Sequence, residues 1–233
     1  MHQGIVIIPT YNEKGNIQRI VEAVLALDID FHILVVDDNS PDGTAVIVRE
    51  LQKSHSDALH LLERKNKEGL GTAYIAGFKW SLARDYTYIF EMDADFSHNP
   101  ADLPRLLQAC KDGADVSIGS RYVKGGEVSN WDYTRILISY FASLYVRSIL
   151  WIGVKDATAG FVCYHRKVLE AIDLNKIEFV GYAFQIEMKY NAIRKGFKLV
   201  EVPITFIDRQ VGQSKMSMKI FTEAFVGVVK MRF

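Results

Sequence analysis

The sequence predicts an α/β fold, a mostly parallel sheet flanked by helices. Three observations carry that reading. Short apolar runs of four to six residues recur through the first half of the chain. Each is followed by a longer stretch with helical periodicity, the pattern of βαβ units. Polar clusters fall repeatedly just beyond the apolar runs, at the carboxyl ends of the expected strands, where open α/β sheets gather their ligands.

The elements follow in order. Gly4–Pro9 reads as a buried strand and Lys14–Leu27 as a helix. His32–Asp37 is a second strand, followed by a helix over Thr44–Lys53. Leu59–Glu63 and Thr72–Arg84 make the third pair, and Tyr88–Met92 and Ala101–Lys111 the fourth. Val116–Gly119 is a fifth strand. "TYNE", "DDNSPDG", "DADFSH" and "SRY" follow strands one, two, four and five. The second half differs. Tyr133–Ile152 reads as a long, very apolar helix, then come a strand at Phe161–His165, a helix at Ala183–Lys195 and a strand at Lys198–Phe206. A polar loop, "DRQVGQSKMS", leads to an amphipathic helix over Lys219–Met231.

Composition excludes several classes. A chain of 233 residues, 49% hydrophobic, can bury a sizeable core. Lys and Arg total 28 and Asp and Glu total 28, so the formal net charge is zero. That argues against a broad electrostatic grip on nucleic acid. Cys110 and Cys163 stand far apart with no zinc-ligand spacing, which fits a reducing compartment. The start, "MHQGIVIIPTYNE", lacks a charged region and a small-residue cleavage site, so no signal peptide is expected. The nearest approach to a membrane span, Ile136 to Ile152, is interrupted by Arg147, so no integral span is expected.

Common nucleotide machinery is missing. In "GLGTAY", Tyr74 stands where a dinucleotide fingerprint needs its third glycine, so Gly69 and Gly71 read as a tight helix entry. There is no Walker lysine motif. Attention falls on "EMDADFSHNP", where Asp93 and Asp95 flank Ala94 at the end of a strand. Two such carboxylates could hold a divalent cation, form an acid/base pair or make a solvated turn. Hard cations take one or two carboxylates plus substrate phosphates. A glycosidase pair normally comes from separate elements. Asp37 and Asp38 end another strand at the same edge, and clustered carboxylates repel unless a cation or hydrogen-bonding ligand joins them.

Seven blocks in order, "IPTYNEKGNI", "VVDDNSPDGT", "EGLGTAYIAGF", "MDADFSHNP", "IGSRYVKGG", "GYAFQIEM" and "EVPITFIDRQVGQSKM", resemble the polyprenol (dolichyl) phosphate mannose synthases. These are family-2 glycosyltransferases with the GT-A fold, and the resemblance spans Ile8 to about Met216. It implies a GT-A catalytic domain over residues 1–216, with the amphipathic helix of residues 217–233 part of the same domain. It implies that Pro9, Tyr11, Glu13, Val36 and Asp38 hold the nucleoside of GDP-mannose. Asp93, Ala94 and Asp95 would approach the diphosphate and an Mg²⁺ or Mn²⁺ ion, with Asp95 the leading ligand. Ser97 would be a further, weaker ligand. Arg121, Arg209 and Lys215 match phosphate-clamping positions, and Arg135 matches the position that receives the acceptor phosphate.

The expected chemistry is an inverting transfer of mannose to a polyprenyl phosphate, with Asp95, Arg121 and Arg135 as its principal residues. A phosphomonoester is largely dianionic above about pH 6 and can attack without a strong base. It needs positioning and cationic partners, which arginine supplies well. No Ser/His/Asp triad can be assembled, and His98 reads as structural. Arg209 and Lys215 share a loop with Gly212 and Ser214, a composition suited to a lid over phosphates.

Along Tyr133–Ile152, Arg135, Ser139, Ser143 and Arg147 recur every four residues as a narrow polar stripe. The helix is either a core element with one polar edge or an interfacial helix with its apolar side in lipid. The second reading implies peripheral attachment to the cytoplasmic membrane face, with or without a membrane subunit. Two rivals stay open: a polyprenyl-phosphate glycosyltransferase using another donor such as UDP-glucose, and a catalytically silent nucleotide-sugar-binding module.

Overall fold

The computed structural model describes residues 2–208 and 218–232. The elements run β1 (His2–Thr10), α1 (Ile17–Leu25), β2 (Phe31–Asp37), α2 (Thr44–Gln52), β3 (Leu59–Glu63), α3 (Leu70–Leu82) and β4 (Tyr86–Glu91). There follow a 3-10 turn (Pro100–Asp102), α4 (Leu103–Lys111), β5 (Val116–Ser120), β6 (Glu127–Ser129) and α5 (Tyr133–Leu150). The chain continues with β7 (Val162–His165), α6 (Arg166–Ala171), α7 (Tyr182–Arg194), β8 (Leu199–Pro203), β9 (Thr205–Ile207) and α8 (Met218–Arg232).

The main sheet has seven strands in the order β3-β2-β1-β4-β7-β5-β8. All neighbours pair in parallel except β7, which is antiparallel to both β4 and β5. The central strands are continuous apolar runs because both of their faces are covered; every residue of β2 is buried. The two-residue period divides their side chains between two cores. Ile5, Ile7, Leu34 and Val36 pack with Tyr74 and Phe78 of α3 and Phe184 of α7. Val6, Ile8, Ile33 and Val35 pack on the other face, with Ile17, Ile20 and Val21 of α1 and Leu103, Leu106 and Leu107 of α4. The chain leaves β1 toward β2 and β3, then returns to place β4 on the other side of β1. That reversal opens a crevice beyond the carboxyl ends of β1 and β4.

The glycines of "GLGTAY" form a helix entry. Gly69 caps α3 with φ +108°. A Cβ on Gly71 would stand 2.8 Å from the Phe184 ring, and the Gly71 N–H is spent on the Val180 carbonyl at 2.8 Å. These groups pack α3 against α7.

Two sequence expectations need correction, and two short elements were missed. The strand expected over Lys198–Phe206 is two strands. β8 pairs with β5, whereas β9 pairs in parallel with β6 as a separate two-stranded sheet. Ile204 is the hand-over point: its N–H still reaches Ser120 O at 3.1 Å, and its carbonyl accepts from Glu127 N at 2.9 Å. β6 and α6 were not expected, being too short to give a clear period. Finally, the long apolar helix is α5, and it is not apolar enough to justify that description. Among the described residues, no helix is long and apolar enough to cross a membrane. Arg135, Ser139, Ser143, Arg147 and Ser148 dilute the apolar run.

Candidate active site

Two loops at the carboxyl edge are joined through Asp37. The Thr10 hydroxyl donates to Asp37 Oδ2 at 2.9 Å, and the Ser40 N–H donates to Oδ1 at 3.0 Å. The N–H groups of Asn12 and Glu13 donate to the hydroxyls of Ser40 and Thr44, both at 3.0 Å. "TYNE" and "DDNSPDG" therefore form one unit. Pro9 and Val36 are register partners across β1 and β2, so the fold brings Pro9, Tyr11, Glu13, Val36 and Asp38 to one corner of the crevice. Asn12, Asn39 and Phe96 have φ of 61°, 58° and 60°. Each lies just beyond the end of β1, β2 or β4. Asparagine tolerates this left-handed conformation, but for phenylalanine it costs on the order of 1–2 kcal/mol, so packing around the carboxylate loop must hold Phe96 there.

Asp38 is buried and its Oδ1 lies 3.1 Å from Arg64 Nε. Burial pushes its carboxyl pKa up and the Arg64 guanidinium pulls it down, with a net rise. Arg64 also donates to the Thr72 hydroxyl at 2.9 Å, while its Nη1 is buried without a partner. Lys67 places its ammonium 4.3 Å from the centre of the Tyr11 ring. Neither cation was expected from the sequence. The available signal was the basic run "RKNK", directly after the third strand and hence at the ligand edge.

The carboxylate loop closes β4. The Tyr74 hydroxyl donates to Asp93 Oδ1 at 3.3 Å. Burial first, and Asp93 second, hold that phenol far above its ordinary pKa, so it stays a donor. The Asp93 N–H donates to His98 Nδ1 at 3.1 Å, and the Ser97 N–H donates to Asp95 Oδ1 at 3.0 Å. Ala94 and Asp95 are buried, and the buried Ser97 Oγ has no hydrogen-bond partner. His98 lies flat on Phe161, with ring centres 4.9 Å apart. Its Nδ1 is an acceptor, so a neutral ring carries its proton on Nε2; burial pushes its pKa down to about 4. His98 is structural, as expected. Among the described residues, no three His, Cys, Asp or Glu side chains converge as a complete metal cage.

"GYAFQIEM" supports this loop from below. Gln185 Nε2 donates to the buried Glu91 at 2.6 Å, and the buried Lys189 ammonium donates to Ala159 O at 2.6 Å. Glu187 accepts the backbone N–H groups of Glu178 and Phe179, so it braces the approach to α7.

Arg121 and Arg135 meet around an indole. Their guanidinium carbons lie 5.5 and 4.1 Å from the centre of the Trp131 ring. Buried Asp156 orients Arg121, accepting from its backbone N–H at 3.0 Å, Nε at 2.7 Å and Nη2 at 2.6 Å. Arg135 pairs with Asp208 at 2.8 Å, each about 29% exposed. It occupies the first turn of α5, where the Asp132 carboxylate caps its N–H at 3.0 Å. β9 joins this corner to the carboxylate loop. The Ile207 N–H donates to Ser97 O at 3.3 Å, Phe206 packs edge-on against both His98 and Trp131, and Asp208 follows directly. Trp131, Asp156, Phe206 and Asp208 were not expected, because only tertiary contact brings them together. Arg209 and Lys215 lie outside the described residues.

The sequence profile of Glycosyl transferase family 2 matches residues 5–173. The chain belongs to that family. Over 226 residues, 97% of this chain and 85% of the relative, it is 50% identical to a polyprenol monophosphomannose synthase of Mycolicibacterium smegmatis. Over 230 residues, 97% of this chain and 92% of the relative, it is 47% identical to an undecaprenyl-phosphate mannosyltransferase of Micrococcus luteus. A glucosyl-3-phosphoglycerate synthase of Mycobacterium tuberculosis, in complex with Mn²⁺, UDP and glucosyl-3-phosphoglycerate, superposes with TM-score 0.69. That match has 15% identity and covers 99% of this chain and 80% of the other. A mannosyltransferase of Pyrobaculum calidifontis, in complex with GDP-Man and Mn²⁺, gives 0.61 at 15% identity, covering 98% and 69%. These two likenesses establish the GT-A-like fold, a mostly parallel sheet between helices. In this family 2 glycosyltransferase, the matched region takes in the carboxylate loop, Arg121 and Asp156, and Arg135; β8 and β9 lie beyond it.

Proposed function

We propose that this family 2 glycosyltransferase transfers mannose from GDP-mannose to a polyprenyl phosphate, with inversion at the anomeric carbon. The observation that carries the acceptor assignment is the arginine pair around Trp131 at the positive end of α5. Two guanidiniums and a helix N-terminus suit a dianionic phosphate. The mannosyl and polyprenyl parts rest on the names of two relatives at 50% and 47% identity.

Pro9, Tyr11, Glu13, Val36 and Asp38 form the nucleoside corner, with Arg64 as an added cation. Asp93, Asp95 and the unpartnered Ser97 Oγ fit an Mg²⁺ or Mn²⁺ ion whose remaining ligands come from the donor diphosphate. Such an ion neutralises charge on the leaving group. The motif assigns Arg121 to the donor phosphates and Arg135 to the acceptor phosphate; because Asp156 holds Arg121 at the same indole as Arg135, we extend its role to the acceptor phosphate as well. Arg209 and Lys215 are assigned to the diphosphate on the strength of the motif alone. The acceptor's own ionisation supplies the nucleophile, so turnover should fall on the acid side near about pH 6.

The lipid tail of the acceptor calls for a membrane surface. Tyr133, Ile138, Phe141, Trp151, Phe225 and Val226 are exposed along α5, its end and α8. The Tyr145 and Phe225 rings stack at 4.2 Å and tie the two helices together. We assign this face to the cytoplasmic side of a membrane, with peripheral attachment. Residues 1–216 are read as the catalytic unit and residues 217–233 as part of it, since Val228 of α8 is buried in the same core.

The test is a donor panel with a short polyprenyl phosphate, reading lipid-linked product. GDP-mannose should exceed UDP-glucose clearly. Preference for UDP-glucose would replace the sugar, and no turnover with any donor would favour a silent binding module.

A further inference from the structure

A cavity of about 160 Å³ lies between Tyr122, Tyr140, Ser143, Leu144, Arg147 and Lys155. Nothing in the transferase reading uses it. Its lining carries two cations and no carboxylate. Ser143 is only 2% exposed, yet its Oγ has no hydrogen-bond partner, and the buried Nε of Arg147 has none either. Among the described residues, neither Arg147 nor the Lys155 ammonium forms an ion pair. The nearby carboxylate, Glu201, is spent on other donors: the N–H groups of Lys155 and Asp156 and the Ser120 hydroxyl.

Buried donors left unpaired are costly and rare. Two cations, Arg147 and the exposed Lys155, lining one small space with a buried serine hydroxyl are a donor set suited to a tetrahedral oxyanion. Apolar surface adjoins the cavity: of its lining residues Tyr140 and Leu144 are 46% and 41% exposed, and Leu137, Ile138 and Phe141 continue that surface along α5. An anion with an apolar tail fits both features. Tyr122 links the cavity to the transferase site, since the Arg121 guanidinium lies 5.2 Å from its ring centre. Arg147, however, stands twelve positions after Arg135 on α5, roughly 18 Å along the helix axis, so one phosphate cannot bind both Arg147 and Arg135.

We propose that this cavity is a second phosphate-ester site, remote from Arg135 along α5, and that its occupant is the head group of an anionic lipid. The site holds the enzyme on the membrane at a fixed rotation of α5, leaving the Arg135 end for the acceptor. The inference goes beyond the transferase reading, and its test reads binding alone, so failure of one leaves the other standing.

The full chain is sedimented with phosphatidylcholine vesicles, with and without phosphatidylglycerol, and is separately titrated with inorganic phosphate. Arg147→Gln should weaken binding to the anionic vesicles about tenfold. Arg147→Lys keeps the charge but loses the planar fork, and should still lose several-fold. Ser143→Val, which removes the buried hydroxyl and adds bulk to the lining, should behave likewise, whereas Lys111→Gln on α4 should have no effect. General attraction to a charged surface gives about fivefold per charge removed and is blind to Arg147→Lys. Wild-type binding by Arg147→Lys, with equal losses in Arg147→Gln and Lys111→Gln, would overturn the site. Phosphate binding that is lost in Arg147→Lys, with vesicle binding unchanged, supports the anion site and overturns the lipid as its occupant.

Discussion

The Asp37–Asp38 corner, proposed for the nucleoside, and the arginine corner of the crevice are held by different interactions. In the first, short loops after adjacent parallel strands are tied by hydrogen bonds around Asp37 and Ser40, with the largely buried Asp38–Arg64 pair beside them. In the second, charged pairs and aromatic rings join segments far apart in sequence, such as Arg121 with Asp156 and Trp131 with Phe206. A corner built from neighbouring loops is positioned by the sheet register itself. A corner built from distant side chains depends on how β6, β9 and α5 are placed, and it combines one buried charge pair, Arg121–Asp156, with the partly exposed pair Arg135–Asp208.

The largest expected effect lies between the two corners. Asp95→Asn removes one of only two carboxylates in the loop after β4. Turnover should drop by about 10²–10³-fold or more, the scale of a lost electrostatic contact to a developing charge. Donor binding measured by calorimetry should lose its dependence on Mn²⁺. Full turnover with normal metal dependence would remove the metal from this loop.

The next two substitutions set the corners against each other. Asp156 is fully buried and takes three N–H groups of Arg121. Breaking a buried pair from one side costs about 3–5 kcal/mol because the remaining charge is stranded. Asp156→Asn should therefore lower unfolding stability on that scale and raise the acceptor KM, while donor affinity changes little. Asp37→Asn puts an amide donor against the donating groups of Thr10 and Ser40 and should cost about 1–3 kcal/mol. Its functional loss should fall on donor binding, with acceptor KM unchanged. If both variants damage donor and acceptor alike, the corners are one cooperative unit and the distinction fails.

The same contrast explains what the sequence could reveal. Strands β1 to β5 and the helices between them were legible because buried parallel strands are continuous apolar runs. Their loops were legible because the polar residues stand directly after those runs. Asp93, Asp95 and Asp38 could be located at the ligand edge from local pattern alone. Asp156 and Asp208 could not: a lone aspartate in "KDATAG" or "IDRQ" has no period to mark it, and its partner lies 35 or 73 positions away. The split of β8 from β9 was hidden for a related reason, since "KLVEVPITF" alternates smoothly and only pairing with β6 shows where it changes sheets. Arg64 was legible in principle but was overlooked among the charges of "ERKNKEG".

The smallest effect tests whether both arginines of the second corner are held alike. Arg135 and Asp208 are each about 29% exposed and 2.8 Å apart. A pair so open to water contributes about 0–1 kcal/mol after screening, far below the buried Arg121–Asp156 pair. Asp208→Asn should therefore shift unfolding stability by less than about 1 kcal/mol. Arg135 remains over the Trp131 ring at 4.1 Å, so it stays near its place. If Arg135 receives the acceptor phosphate as proposed, the carboxylate competes with it for the same guanidinium and repels it, so its removal should lower the acceptor KM about two- to threefold, a few tenths of a kcal/mol up to the value of an exposed pair. Donor affinity should not move. The gain should shrink as salt is raised, because an exposed charge is screened within about 8–10 Å at ordinary ionic strength. A rise in acceptor KM instead would mean that Asp208 aims Arg135 as Asp156 aims Arg121, and that the arginine corner is preorganised by carboxylates on both sides.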